Sequence, residues 1–68
     1  MAQTKLIIDT LKRELRKQGI NYRDVADKLG LSEASVKRLF AEYSLSLDRL
    51  SQVCELLNYE IADLVHLM

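Results

Sequence analysis

Residues 22–40 read YRDVADKLGLSEASVKRLF and carry the strongest structural signal in the chain. Ala26 stands four positions before Gly30, and Val36 stands six positions after it. A small residue such as alanine lets two helices approach closely, and glycine adopts a positive φ at a turn without steric cost. The spacing therefore predicts two short helices that meet at a steep angle near Gly30, with Val36 filling the angle between them.

Helix-capping residues flank both of these helices. Asn21 is placed to cap a helix over residues 22–29, with Asp24 in the first turn, near the positive end of the helix dipole. Ser32 is placed to cap the next helix, from Glu33 to about Glu42. Ser32 follows Gly30 by two positions, so the connection between the two helices is very short.

Three more helices are predicted outside this pair. The first begins after Thr4 and ends at Gly19, the fourth follows the N-cap Ser46 and ends at Asn58, and a fifth runs to the end of the chain. Apolar residues three or four positions apart mark the inner side of each helix. The predicted inward residues are Ile7, Leu11, Leu15, Val25, Ala26, Leu29, Val36, Leu39, Phe40, Leu47, Leu50, Val53, Cys54, Leu57, Ile61, Leu64 and Val65.

The composition predicts one all-α globular domain over residues 1–68. Hydrophobic residues make up 49% of the chain and charged residues 29%, with no proline and two glycines. The single Cys54 cannot form an internal disulfide and is expected to be a small core residue. No signal peptide, membrane span, metal-ligand spacing or catalytic constellation is visible, and His66 has no partner at a useful spacing. We expect a cytoplasmic protein that is not an enzyme and uses no cofactor.

Charge is distributed unevenly although the formal net charge is zero. Through Phe40 the chain has nine basic residues against five acidic ones, and from Ala41 onward it has one basic residue against five acidic ones. Zero net charge alone argues against nucleic-acid binding, because Lys and Arg supply much of that affinity. The uneven distribution predicts an electrostatically two-sided molecule, with four net positive charges through Phe40 and four net negative charges after it.

The combination of Ala26, Gly30 and Val36 between placed caps resembles the phage-repressor and Cro-type helix-turn-helix family, also called the xenobiotic-response-element family. The resemblance covers nearly the whole chain, since residues 46–65, SLDRLSQVCELLNYEIADLV, are similar to the family's fourth and fifth helices. It implies a compact five-helix, lambda-repressor-like DNA-binding domain whose helix-turn-helix is formed by helices 2 and 3. It also implies double-stranded DNA as the partner, bound for transcriptional regulation.

In this family the second helix of the motif lies in the major groove, and here that is the segment from Ser32 to Glu42. Arg38 could donate two hydrogen bonds to guanine, Glu33 could accept one from cytosine, and Ala34 could contact a thymine methyl group. By position, the base-contacting residues implied by the resemblance are Ser32, Glu33, Ala34, Ser35, Lys37 and Arg38.

The phosphate contacts that the resemblance implies lie at the start of helix 2 and after helix 3. They are Asn21, Tyr22, Arg23, Tyr43 and Ser44. Tyr22 stands where relatives often have a glutamine, and its hydroxyl could serve the same contact. Residues 40–43, FAEY, stand where relatives often have glutamate followed by asparagine and glycine, so Arg49 is an alternative source of contacts from that loop.

Other interpretations remain open at this point. The same fold could serve as a protein-interaction module, antitoxin-like or for assembly, that uses its acidic C-terminal half. Four of the basic residues of helix 1 are interpreted as solubilising: Lys12, Arg13, Arg16 and Lys17. The apolar residues 64–68 could pack on the core, form a homodimer contact, or precede an effector domain in a longer regulator, which is the interpretation we favour.

Overall fold

The computed structural model describes residues 2–68, with side chains from Thr4 onward. The chain forms α1 (Ala2–Lys17), α2 (Tyr22–Leu29), α3 (Glu33–Ala41), α4 (Leu47–Leu56) and α5 (Ile61–His66). Residues 2–68 contain no strand, which confirms the all-α prediction and its five helices. None of these helices combines the length and hydropathy needed to cross a membrane.

The helix-turn-helix is held by its caps and by packing on α4. The Asn21 side chain accepts from the backbone amide of Asp24 at 2.9 Å, and the Asp24 carboxylate accepts from the amide of Asn21 at 3.2 Å. The Ser32 hydroxyl accepts from the amide of Ser35 at 3.1 Å. α2 packs against both α3 and α4, while α5 packs against α1 and α4. Both predicted N-caps of the motif are confirmed.

Four helices end in one kind of turn, in which a residue with positive φ reverses the chain. In each, an amide after the turn donates to a carbonyl in the last helical turn, as Leu31 does to Ala26 at 3.0 Å and Ser44 does to Leu39 at 3.0 Å. The residues with positive φ are Gly19, Gly30, Tyr43 and Asn58. The two glycines and Asn58 were predicted helix ends. Tyr43, at φ 53°, adopts a conformation that bulky residues rarely take.

The core lies where the five helices meet. Its members, all buried, are Ile8, Leu11, Leu15, Val25, Ala26, Val36, Phe40, Leu50, Val53, Cys54, Leu57 and Leu64. Phe40 is the largest of the fully buried side chains. Burial, with a smaller effect from Asp63, raises the pKa of the Cys54 thiol above its usual value. Cys54 is therefore a core residue, as predicted, and its thiol is poorly disposed to ionise.

Several predicted details of the helices are wrong. α1 begins at Ala2, because alanine and glutamine both favour a helix and nothing before Thr4 stops it. Leu47 is 69% exposed rather than inward, because it is the first residue of α4 and lies at the edge of the bundle. Val65 is 48% exposed, because the short helix α5 has only six residues and buries Leu64 rather than its neighbour.

Two leucines of the helix-turn-helix are less buried than predicted. Leu29, at the end of α2, is half-buried and packs against the core from its edge. Leu39 is also half-buried, because it lies on the flank of α3, one position before the fully buried Phe40. The apolar spacing thus identifies the inner side of each helix correctly but predicts a buried face that is wider than the observed one.

A buried carboxylate joins α1 to the connection between α4 and α5. Glu14 accepts a hydrogen bond from the Tyr59 hydroxyl at 2.8 Å, and its other oxygen lies 3.8 Å from the Arg13 Nε. Gln18 donates to the carbonyl of Leu57 at 3.4 Å. The hydrogen bond to Glu14, followed by burial, raises the pKa of the Tyr59 hydroxyl above 10.0. These contacts fix the position of α1 against the end of α4.

Tyr59→Phe is expected to lower the midpoint of thermal unfolding, because it leaves the buried Glu14 carboxylate without its hydroxyl donor. Tyr43→Phe is the matched control, since its hydroxyl donates to an exposed carboxylate, Asp9, at 3.2 Å. Folding raises the pKa of the Tyr59 hydroxyl, so the protonated hydroxyl stabilises the folded state. This stabilisation should be complete below pH 10.0 and should be lost as the pH rises through the pKa of the folded state. Circular dichroism melts of both variants at neutral pH test this, and equal midpoint shifts would contradict it.

Candidate nucleic-acid interface

α3 has one face in the core and the opposite face in solvent. Val36 and Phe40 are fully buried. The exposed face consists of Ala34, Lys37, Arg38 and Ala41. These four positions are three or four residues apart and therefore form one stripe along the helix. We call this set the outer stripe.

The outer stripe contains three of the residues predicted to contact bases. Ala41 is absent from that prediction, although the spacing of three residues from Arg38 is a signal that would have identified it. The two alanines are short, so the backbone of α3 can approach a partner surface closely on either side of the two cations. This arrangement suits insertion of the helix into a groove.

The side chains predicted to contact bases at the start of α3 differ in whether they take part in the helix cap. Ser32 and Ser35 are occupied by the cap, since the Ser32 hydroxyl accepts from the Ser35 amide at 3.1 Å and donates to the Ser35 hydroxyl at 2.9 Å. Glu33, the first residue of the helix, is exposed. Both serines therefore shape the turn, whereas Glu33 and Ala34 take no part in these two hydrogen bonds.

An open groove of about 370 Å³ lies between α3 and α4. Its polar lining is Ser35, Arg38 and Glu42 from α3 and its cap, with Arg49 from the first turn of α4. Neither arginine takes part in either of the two ion pairs found among the described side chains, Arg13–Glu14 and Lys28–Glu55. Arg49, the only basic residue after Phe40, thus lines the same groove as Arg38.

The start of α2 lies beside the end of α3. The ring of Tyr22 packs against the ring of Phe40, with centroids 5.1 Å apart and planes inclined at 51°. Tyr22 is half-buried, whereas Asn21 and Arg23 are exposed. The three residues predicted to contact phosphate here are therefore at the surface, and one of them is held in place by the core.

Between α3 and α4, Tyr43 is held against α1. Its hydroxyl donates to the Asp9 carboxylate at 3.2 Å, and the Lys12 and Lys5 ammonium groups lie 5.0 and 5.9 Å from its ring centroid. Burial, followed by the neighbouring Asp9, raises the pKa of the Tyr43 hydroxyl. Ser44, the other predicted contact of this loop, is exposed. The contacts between Tyr43 and α1 explain how a tyrosine occupies the left-handed position of this turn.

The structure also brings two cations of α1 to the start of α2. Lys12 and Arg16 line a cleft of about 250 Å³ together with Leu15, Ile20, Asn21 and Tyr22. The sequence alone does not single out these cations from the other basic residues of α1, because their relation to Asn21 and Tyr22 depends on how the helices pack.

Comparison with known proteins bears on the family to which the chain belongs. The family model of the Cro/C1-type helix-turn-helix DNA-binding domain matches residues 10–68. A comparison with curated proteins and one with solved structures gave no significant match. The matched residues include α2 to α5 and the second half of α1. The resemblance found in the sequence is confirmed, and the chain belongs to the Cro/C1-type helix-turn-helix family of DNA-binding domains.

Proposed function

We propose that this domain binds duplex DNA sequence-specifically for transcriptional regulation, with α3 in the major groove. The observation that supports this proposal best is the outer stripe of α3, in which two exposed cations stand between two alanines. A major groove about 12 Å wide admits an α-helix, and its floor presents a distinct pattern of donors and acceptors for each base pair.

Each group at the exposed end of α3 has a chemical counterpart in the groove. The Arg38 guanidinium could donate two parallel hydrogen bonds to a guanine, and the exposed Glu33 could accept from a cytosine amino group. Ala34 could contact a thymine methyl group, while Lys37 could reach a base or a phosphate. Ser32 and Ser35 would contribute mainly through the cap that they form.

Phosphate contacts would hold α3 in register on both sides. We assign them to Asn21, Tyr22 and Arg23 at the start of α2 and to Tyr43 and Ser44 in the loop after α3. Helix N-termini offer free amides and a favourable dipole to phosphate. The packing of Tyr22 on Phe40 supports this arrangement, because it couples the position of a phosphate contact to that of the recognition helix.

A regulator built on this domain would use more than one copy of it. α3 has nine residues, so it spans only about 14 Å at 1.5 Å per residue and covers part of one turn of the duplex. We propose a homodimer that reads two half-sites about 34 Å apart, with an effector domain in a longer parent chain.

An amide NMR titration with a mixed-sequence duplex at low and at moderate salt tests the proposal. We expect shifts at residues 21–23 and 32–38 that fade as salt rises, because phosphate contacts weaken with salt. The amides of α5 are an internal control and should not move. Absence of shifts at both salt concentrations would contradict DNA binding, and shifts confined to α4 and α5 with a protein partner would favour the interaction-module alternative.

A further inference from the structure

One face of α1 carries a row of charged residues. Lys5, Asp9, Lys12 and Arg16 follow one another at intervals of four, three and four residues, which places them on the same side of the helix. Three of the four are cations. We call this set the α1 row.

Contacts with Tyr43 hold the middle of the α1 row in place. The Asp9 carboxylate accepts from the Tyr43 hydroxyl, and the Lys12 ammonium group lies 5.0 Å from the centroid of the same ring. Lys12 is therefore half-buried and its position is restricted, although neither of the two ion pairs among the described side chains involves it. Arg16, one turn further along, is exposed and equally absent from those ion pairs.

Lys12 lies next to both groups of residues to which we assign phosphate contacts, and Arg16 lies next to one of them. Lys12 contacts Tyr43 of the α3–α4 loop, and together with Arg16 it lines the cleft that contains Asn21 and Tyr22. The Tyr22 ring packs in turn on Phe40 of α3. The end of the α1 row thus lies on the side of the domain where α2 begins and α3 ends.

We propose that Lys12 and Arg16 bind the phosphate backbone of duplex DNA, which makes α1 a third DNA-contacting helix. The inference rests on the proposed function and extends it to residues that the sequence indicates only as solubilising. Arginine presents its N–H groups in a fork that matches phosphate oxygens, and lysine acts as a compact point charge. Neither contact carries sequence information, so both would raise affinity for all duplexes alike.

Fluorescence anisotropy with a labelled mixed-sequence duplex, measured over a series of salt concentrations, tests this assignment. Each phosphate contact contributes about −0.9 to the slope of log affinity against log salt. We expect Lys12→Gln and Arg16→Gln each to reduce the slope by about 0.9 and to weaken binding about 8-fold at about 0.1 M salt. Lys17→Gln is the matched control: it removes one exposed charge from another face of α1 and should change the slope much less. Circular dichroism verifies that all variants are folded.

The outcomes separate this inference from the proposed function. If Lys12→Gln and Arg16→Gln both match Lys17→Gln while the wild-type chain binds, the α1 assignment is wrong and DNA binding stands. If affinity falls without a change of slope, these residues act only by positioning their neighbours, and the assignment is again wrong. If the wild-type chain binds no duplex at any salt concentration, both proposals fail.

Discussion

Arg38→Ala is expected to weaken binding to a preferred duplex by about 5- to 150-fold, or about 1–3 kcal/mol, while changing affinity for other duplexes far less. The reason is that a two-donor contact with guanine is lost, and this contact discriminates between bases. Arg38 is exposed on the outer stripe and is not a member of the core, so the fold should not change. The preferred duplex can be selected from a random-sequence pool, and the two affinities measured by anisotropy.

Arg38→Lys is the informative control for this experiment. It keeps the positive charge but removes the planar fork, so it should lose much of the preference for the selected duplex while retaining the salt dependence. Equal losses of affinity for selected and random duplexes would show that Arg38 contacts phosphate. Unchanged affinity for both would remove Arg38 from the interface altogether.

Phe40→Ala should remove a large part of the free energy that keeps the domain folded. Replacing a buried phenylalanine by alanine costs about 3–5 kcal/mol, because the apolar contacts are lost and a cavity remains. A chain of 68 residues is typically stable by only about 3–10 kcal/mol. Phe40 has no exposed surface, and its ring also supports Tyr22. Urea unfolding followed by circular dichroism measures the decrease in the free energy of unfolding.

Leu47→Ala provides the comparison for that measurement. Leu47 is 69% exposed, and substitutions at such positions usually change stability by no more than about 0.5 kcal/mol. A similar unfolding midpoint for Phe40→Ala and Leu47→Ala would show that the Phe40 ring is not central to the core.

Local signals in the sequence predict most of the helix-turn-helix. Asn21 and Ser32 cap the helices as their side-chain chemistry predicts, and Gly30 adopts the positive φ that its lack of a Cβ allows. Val36 and Phe40 follow the helical period into the core. Each of these features depends on residues only a few positions apart, so the pattern alone is sufficient.

Features that depend on packing between distant segments are not predictable in the same way. Tyr43 adopts a left-handed conformation that its residue type disfavours, because Asp9 and Lys12, more than thirty positions away, hold its side chain. Leu47 fits the apolar period of α4 but is largely exposed at the start of that helix. The cleft between Lys12 and Tyr22 likewise exists only after α1 and α2 are assembled.

The two faces of α3 have a consequence for how such a domain can change its target. Val36 and Phe40 secure the helix from inside, whereas Ala34, Lys37, Arg38 and Ala41 take no part in the core. The positions that we propose to read DNA can therefore be substituted at little cost in stability, usually within about 0.5 kcal/mol at exposed sites. Descendants of this domain, or engineered versions of it, can acquire new operators by exchanging a few outward side chains on an unchanged scaffold.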